Sequence, residues 1–242
     1  MGSPGHRRSA IAALALVVVG LATAPPSVTA APPTLQLGSS GAAVRDLQRT
    51  LVRGTYLPRA AVDGRFGLRT WHAVVAFQGW SRIERDGIVG PRTRGTLRRM
   101  RRPVPWSSRT GFEVHIGEQV LLMVRAGRVL RAIHVSSGAG GATPVGHFRI
   151  LRRERMSWSR RFQVWMPFAQ YFSGGYAMHA YPSVPAYPAS HGCVRLPTEE
   201  ATAVWSFGRL RMRMWISSAG RRSVVRRSVG AGCPSPRSPA VR

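Results

Sequence analysis

The stretch Ser190-His191-Gly192-Cys193-Val194-Arg195-Leu196 places a thiol in a setting suited to nucleophilic chemistry. Cys193 is one of two cysteines in the chain, and His179 lies upstream in Met178-His179-Ala180-Tyr181-Pro182. A thiol attacks carbonyl groups as the thiolate, and imidazole supplies the necessary base near neutral pH. Gly192 permits a sharp turn that aims backbone N–H groups at a developing oxyanion. These residues therefore predict a cysteine acyl-transfer site.

Two other interpretations of the cysteine are weaker. A lone cysteine is most often a small buried hydrophobe, but the flanking Ser-His-Gly and Val-Arg-Leu favour a nucleophile. A zinc site would need four ligands, whereas His179, His191 and Cys193 supply three at most. We therefore predict neither a metal nor a cofactor.

The same motif resembles the signature of the L,D-transpeptidase catalytic domain, in which a histidine and a variable loop precede Ser/Thr-His-Gly-Cys, a hydrophobic residue and Arg. The resemblance covers roughly residues 109–216 and extends to Ile133-His134-Val135-Ser136-Ser137-Gly138 and Thr143-Pro144-Val145-Gly146-His147-Phe148. Val145 stands where the family usually has a second Thr. The loop from His179 to Ser190 is short and contains three prolines.

The resemblance implies that Cys193 attacks the carbonyl preceding the terminal D-amino acid of a peptidoglycan stem tetrapeptide. A thioester forms, D-alanine leaves, and an amine of a second stem forms the cross-link. His179 would be the base, oriented by a backbone carbonyl, and the N–H groups of Gly192 and Cys193 would hold the oxyanion. Arg195 would contact a substrate carboxylate or brace the loop, and carbapenems would acylate the thiol. The implied catalytic set is Cys193, His179, His191 and Gly192, and the implied substrate-contacting set is Ser190, Arg195 and Tyr181.

Two other functions fit the same residues. An L,D-carboxypeptidase would use water in place of the amine, and the sequence does not separate it because acceptor choice depends on groove shape and water exclusion. A catalytically inactive wall-binding protein is the third alternative. The intact Cys193, His179 and His191 argue against it, because a decayed site would be expected to lose one of them.

The N-terminus has the pattern of an export signal. His6, Arg7 and Arg8 precede an apolar run, and Val28-Thr29-Ala30 offers small residues for cleavage before Ala31. A retained anchor is the alternative, although the run is shorter than the roughly 20 residues that span a bilayer. We predict an exported protein associated with the cell wall or periplasm, with no later membrane segment.

The rest of the chain is predicted to be an α+β multidomain protein. Residues 35–99 have helical spacing and form a small three-helix bundle, and residues 109–216 alternate as strands in a mainly-β catalytic domain. The Arg- and Pro-rich residues 100–108 form an exposed linker. Residues 1–30 are the signal, and residues 217–242 are a disordered basic tail. The tail carries Cys233, which would be a free or intermolecular thiol, or would block Cys193 as a disulfide.

The predicted bundle contains an internal repeat. Asp63-Gly64-Arg65-Phe66-Gly67-Leu68-Arg69-Thr70 matches Asp86-Gly87-Ile88-Val89-Gly90-Pro91-Arg92-Thr93. With Leu47-Gln48 and Phe77-Gln78, these turns resemble the small helical peptidoglycan-binding domain. Most of these residues serve the bundle itself, and the candidate wall contacts are Asp63, Arg65 and Trp71.

In the second domain we predict a hairpin of residues 119–124 and 129–135, and strands near 146–151, 161–166, 175–180 and 211–216. A helix should run from Thr198, which would cap it with its side chain, to Phe207. Most aromatics between Phe162 and Phe172 should pack the core, and a minority should line the donor groove.

The formal charge is +27, and every basic residue other than histidine is Arg. The arginines are spread over the whole chain without a nucleic-acid-binding module, so nucleic acid is not the predicted partner. Peptidoglycan and anionic wall polymers fit an exported protein of this charge.

Overall fold

The computed structural model describes Gly2, residues 32–100 and residues 102–218. The chain divides into two compact units, Met1–Pro32 and Pro33–Arg242, and every element below lies in the second. Apart from Gly2, the predicted signal segment 1–30 lies outside the described residues, as do Cys233 and the tail beyond residue 218. Within the described ranges, no helix is long and apolar enough to cross a bilayer.

The helical part contains α1 (Ala42–Arg53), α2 (Leu68–Ser81), α3 (Pro91–Arg98) and a 3-10 turn (Arg59–Ala61). Its core is built from the apolar faces that the helical spacing predicts, including Leu47, Leu51 and Phe77. Pro91 occupies the first turn of α3, where its missing N–H costs nothing. The predicted three-helix bundle is confirmed.

The first repeat turn is held by the fully buried amide of Gln48. Its Nε2 donates to Asp63 Oδ1 at 2.7 Å and to the Arg65 carbonyl at 3.0 Å, and its Oε1 accepts from the Gly64 N–H at 2.8 Å. The Arg65 backbone N–H also donates to Asp63, and this hydrogen bond lowers the pKa of the carboxyl. The side chain of Asp63, a candidate wall contact, is thus engaged within the fold.

Gln78 repeats this arrangement at the second turn. Its Nε2 donates to Asp86 Oδ1 at 2.6 Å and to the Ile88 carbonyl at 3.1 Å, and its Oε1 accepts from the Gly87 N–H at 2.8 Å. The sequence repeat is therefore a repeated hydrogen-bond network, in which one buried glutamine shapes each Asp-Gly turn.

The second part folds into two sheets. The five-stranded sheet has the order β3-β2-β1-β9-β4 and the four-stranded sheet has the order β5-β6-β7-β8. The pairs β1–β9 and β7–β8 are parallel, and the others are antiparallel. The elements are β1 (Gly111–His115), β2 (Val120–Arg125), β3 (Arg128–His134), β4 (Gly146–Arg149), β5 (Arg152–Ser159), β6 (Val164–Ser173), β7 (Tyr176–Ala180), β8 (Val194–Leu196), α4 (Thr198–Phe207) and β9 (Arg213–Ser217). The predicted fold class, a three-helix bundle followed by a mainly-β domain, is confirmed.

Two local predictions were wrong. The strand expected near 161–166 begins at Val164, and a further strand, β5, precedes it. The charged, largely exposed sequence of β5 lacks the apolar alternation that signals a strand, and its pairing with β6 supplies its order. Thr198 is the first residue of α4 and not its cap, because Pro197 occupies the cap position and no side chain caps the helix.

The five-stranded sheet is buried on both faces. Leu121 and Met123 of β2 pack toward the core that contains α4, and Val120, Leu122 and Val124 pack against the helices. This explains the unbroken apolar run of β2, because a strand covered on both sides has no polar face. The helical part and the β part therefore share a core.

Polar contacts reinforce this packing. The Ala132 N–H at the outer edge of β3 donates to the Thr55 carbonyl at 2.9 Å, so part of this sheet edge is covered. Glu200 of α4 lies 3.0 Å from Arg131 of β3 and 3.8 Å from Arg69 of α2. Burial raises the pKa of the Glu200 carboxyl, and the two guanidinium groups oppose that shift.

The segment 102–108, predicted as an exposed linker, is packed in part. The Trp106 ring stacks on His115 with 3.7 Å between ring centroids. The backbone N–H groups of Trp106 and Ser107 donate to the Glu113 carboxylate at 2.8 and 3.0 Å. These contacts attach the segment to β1.

We expect Gln48→Ala to lower the free energy of unfolding by about 2–4 kcal/mol, because it leaves several buried polar groups of the first turn unsatisfied. Urea unfolding followed by tryptophan fluorescence measures this. Gln78→Ala should give a similar loss, and Gln36→Ala, at an exposed position, is the control. A loss for Gln48→Ala no larger than that of the control would contradict the structural role of the amide.

Candidate active site

The parallel pairing of β7 with β8 brings the predicted residues together. His179 lies opposite Arg195, and Met178 lies opposite Val194. Side chains alternate between the faces of a sheet, so Cys193, two residues before Arg195, shares the face of His179 and Arg195. Met178 and Val194 point the other way into the core.

These side chains surround a cavity of about 170 Å³. The structure brings together all of the predicted site residues around this cavity except Gly192, whose neighbours line it. Three further lining residues come from β6 and the turn before it, and of these only Phe162 belonged to the predicted aromatic set. The lining residues are Phe162, Val164, Met166, His179, Tyr181, Ser190, His191, Cys193 and Arg195.

His179 is buried and oriented by the backbone. Its Nδ1 lies 2.8 Å from the Ala180 carbonyl oxygen, which only accepts hydrogen bonds, so Nδ1 carries the proton and Nε2 is the free base. This is the backbone-carbonyl partner that the sequence predicted. Burial lowers the pKa of His179 to about 4, while the Ala180 hydrogen bond opposes the shift and the Arg195 charge adds to it. The imidazole is therefore neutral at physiological pH.

Cys193 is a half-buried free thiol. Burial raises the pKa of the thiol above its ordinary value, and a backbone hydrogen bond with Ala177 and the charge of Arg195 oppose that rise. The resting pair is thus a neutral thiol beside a neutral imidazole. Neither group therefore carries a charge in the resting site.

The loop that carries the thiol is closed by Ser190. Its hydroxyl accepts from the Gly192 N–H at 3.0 Å and donates to the Cys193 carbonyl at 2.5 Å. Gly192 has φ of +124°, and a Cβ there would lie 2.3 Å from the Tyr176 ring. Only glycine fits this position, because both its backbone conformation and the space around it exclude a side chain.

This geometry corrects two predicted roles. The Gly192 N–H already donates to Ser190, so it is not available as an oxyanion donor without losing that bond. The Ser190 hydroxyl is likewise engaged on both sides within the loop, so it shapes the cavity and has no free proton for a substrate. Both residues fix the backbone conformation of the loop that carries Cys193.

His191, Arg195 and Tyr181 form part of the cavity wall. His191 is exposed and stacks on Phe162, with 4.5 Å between centroids and 14° between planes. The Arg195 guanidinium lies over the Tyr181 ring at 4.2 Å from its centroid. His191 is exposed at the cavity wall, whereas His179 is buried within it.

The upstream segments that carried the resemblance support the thiol loop. The Ser136 and Arg195 backbones exchange hydrogen bonds of 3.1 and 2.9 Å. Thr143 Oγ1 donates to the Gly192 carbonyl at 2.9 Å and accepts from the Gly138 N–H at 2.7 Å. No side-chain chemistry in the sequence identifies these residues as part of the site. In the sequence, only their match to the family motif points to them.

The chain thus combines a helical bundle with a mainly-β domain, and the mainly-β domain carries a Cys–His pair. Sequence models of known families match both parts: the L,D-transpeptidase catalytic domain at residues 109–217 and a putative peptidoglycan binding domain at residues 40–97. The solved L,D-transpeptidase from Xylanimonas cellulosilytica is 37% identical with a TM-score of 0.73, over 77% of this chain and 98% of that one. The chain belongs to the L,D-transpeptidase family.

Two curated proteins are similar over shorter stretches. A probable N-acetylmuramoyl-L-alanine amidase of Bacillus licheniformis is 45% identical over 64 residues, and the zinc D-Ala-D-Ala carboxypeptidase of Streptomyces albus G is 40% identical over 103 residues. These alignments cover 26% and 33% of this chain, and the chain spans 18% and 39% of the relatives' lengths. In the described part of this chain, no group of three or more His, Cys, Asp or Glu side chains could hold a metal ion.

We expect iodoacetamide to alkylate Cys193 more slowly at pH 8 in the folded chain than in the urea-unfolded chain, because burial keeps the thiol protonated. The rate in the folded chain should still increase at pH 9.0. The Cys233→Ser variant leaves Cys193 as the only thiol, and mass spectrometry measures the adduct. A rate that reaches its plateau below pH 7 would indicate a resting thiolate–imidazolium pair and contradict the neutral one.

Proposed function

We propose that this chain is an exported peptidoglycan L,D-transpeptidase that cross-links stem peptides through a Cys193 thioester. The observation that carries the proposal is that His179 of β7 and Cys193, which directly precedes the parallel strand β8, line one cavity. Within that cavity, His179 presents a neutral imidazole with Nε2 free to accept a proton.

In the first half-reaction, His179 Nε2 takes the Cys193 thiol proton as the sulfur attacks the carbonyl carbon before the terminal D-amino acid. The neutral resting pair makes this transfer part of the attack, because neither ion is stable in the buried site before substrate arrives. The tetrahedral intermediate collapses, the C–N bond breaks, and the D-alanine amine leaves with the proton from His179. The thioester remains on Cys193.

In the second half-reaction, the amine of an acceptor stem attacks the thioester carbonyl. His179 Nε2 accepts a proton from this amine and returns it to the departing sulfur, so that an amide forms and the thiol is regenerated. The Cys193 N–H is the oxyanion donor in this proposal, because the Gly192 N–H is engaged with Ser190. The Arg195 charge, beside both reacting groups, favours the thiolate as it forms.

The helical part would hold the enzyme on peptidoglycan, and an extracytoplasmic location follows from that substrate. The net charge of +27 would strengthen attachment to anionic wall polymers. A cavity of about 540 Å³ on the five-stranded sheet offers one place for such contacts, because three arginines line it: Arg109, Arg149 and Arg213.

Incubation with disaccharide-tetrapeptide should give a Cys193 acyl adduct and cross-linked dimers, resolved by intact mass and by product chromatography. Cys193→Ser should abolish the thioester adduct, and His179→Ala should lower kcat by about 10²–10⁴-fold through loss of the base. Acylation by a carbapenem, followed on the same variants, tests the nucleophile without an acceptor.

The products decide between the alternatives. Tripeptide without dimers would establish an L,D-carboxypeptidase that uses water as the acceptor. A folded protein that forms no adduct with either ligand would overturn the enzymatic proposal and leave a wall-binding protein.

The kcat/KM should fall to half its plateau only near pH 4, because the reaction needs neutral His179 and burial lowers its pKa to about 4. Activity is lost as the pH falls through that pKa, because acid protonates the imidazole that must act as the base. Steady-state rates between pH 3.5 and 8 measure this, with near-UV circular dichroism as a check that the fold persists. A midpoint near 6.5 would mean that the imidazole is solvated in the working enzyme.

A further inference from the structure

A third cavity, of about 520 Å³, lies between the helical part and the catalytic part. This volume is within the roughly 300–1,000 Å³ of typical ligand sites. One wall is the start of α2, and the other is the segment after Tyr181 together with the start of α4. We call it the inter-module groove and define it by Leu68, Trp71, His72, Pro182, Pro185 and Glu199.

The aromatic wall of the inter-module groove is rigid. A Cβ at Gly87 would lie 1.9 Å from Trp71 Nε1, so the indole edge is seated against that glycine. The Trp71 ring also makes edge contacts with His72 and His134, at centroid distances of 4.9 and 5.9 Å. Leu68, three residues before Trp71 on the same helix face, is 58% exposed. Trp71 is therefore held in place by its neighbours, with little side-chain entropy left to lose on binding, and Leu68 adds exposed apolar surface beside it.

The hydrogen bonds of His72 define a polar group at the same place. His134 Nε2 lies 3.1 Å from the Pro185 carbonyl, which only accepts, so His134 carries its proton on Nε2 and its Nδ1 is an acceptor. His72 Nδ1 lies 2.9 Å from that Nδ1 and must therefore donate to it. The remaining nitrogen of neutral His72, Nε2, is a hydrogen-bond acceptor on a residue that lines the groove.

The lining of the groove offers no cation to an anionic ligand. The chain carries 36 Lys and Arg residues, all of them Arg, yet none of them lines this cavity. Glu199 is its one formally charged lining residue. Within the lining, therefore, no cation is available to pair with an anionic polymer or a stem carboxylate, and a neutral ligand with hydroxyl and amide groups is the better match.

The groove also adjoins the candidate active site. Pro182 of the groove directly follows Tyr181, which lines the Cys193 cavity. The segment from Pro182 to Ser190 is fixed to the end of β3 and the residues after it. His134 contacts the Pro185 carbonyl, and Ser136 Oγ donates to the Tyr187 carbonyl at 2.8 Å. A ligand in the groove would lie next to the peptide that reacts with Cys193.

We propose that the inter-module groove binds the glycan strand of peptidoglycan. A sugar ring stacks on Trp71 beside Leu68, and a hydroxyl or acetamido N–H donates to His72 Nε2. Sugar rings pair an apolar face with equatorial donors, which is the combination that this groove offers. The proposal rests on the proposed function for the choice of peptidoglycan as ligand, but glycan binding itself needs no chemistry at Cys193.

The test is calorimetric titration of the Cys193→Ala chain with the β-1,4-linked tetramer of N-acetylglucosamine, a glycan without stem peptide. Leu68→Ser should weaken binding by about five-fold or more through loss of one wall. Leu37→Ser is the matched control, because Leu37 is a similarly exposed leucine of the helical part, at 48%, outside the groove. Its affinity should equal that of the parent.

A second variant tests the polar contact. His72→Asn keeps a donor near the position of Nδ1 for His134 and removes the acceptor at Nε2, so glycan affinity should fall by about ten-fold while the melting temperature holds. A glycan-free tetrapeptide donor should acylate the active Leu68→Ser enzyme at the unchanged rate.

Three results would overturn the inference: no glycan binding by the parent chain, equal affinities for Leu68→Ser and Leu37→Ser, or a Leu68→Ser defect that affects the tetrapeptide and spares the glycan. The last would identify a peptide site. Failure of the proposed function can be told apart from failure of this inference. A wild-type chain that binds glycan through Leu68 but forms no acyl adduct would support glycan binding in the groove and contradict the enzymatic proposal.

Discussion

The parallel pairing of β7 with β8 is the constraint on which the candidate active site depends. Because His179 lies opposite Arg195, the alternation of side chains places Cys193 with them and sends Met178 and Val194 into the core. A shift of one residue would reverse both sets at once, turning the imidazole into the apolar core and the apolar side chains toward the cavity. The packing of the core therefore enforces the geometry of the chemistry.

Burial gives this site its resting state. The environment that holds His179 and Cys193 in place also removes water from them, so both are neutral before substrate binds. Arg195 supplies positive charge that acts on the thiol, and its own position is set by Tyr181 and the Ser136 backbone. In the proposed mechanism, the thiolate would form only as the new bond forms.

The two-sided burial of the five-stranded sheet joins the helical part to the catalytic part. Val120 and Leu122 belong to the core of the helices, while Leu121 on the same strand belongs to the core of the β domain. Gly79 of α2 is required for the close approach, since a Cβ there would lie 2.2 Å from the Glu118 carbonyl oxygen. The groove beside Trp71 exists because the two parts meet in one fixed arrangement.

Local sequence determined the elements with strong periodicity and the chemistry of the thiol. The helices, the hairpin before His134, the family and the roles offered to Cys193 and His179 all follow from short motifs, because backbone propensity and reactive groups are local properties. Only the tertiary structure decided that β5 is a strand, that the Gly192 N–H donates to Ser190, and that Gln48 and Asp63 shape a turn. It also decided that His72 meets His134. These outcomes depend on which distant groups meet and lose water, and that information is spread over the whole chain rather than held in any one segment.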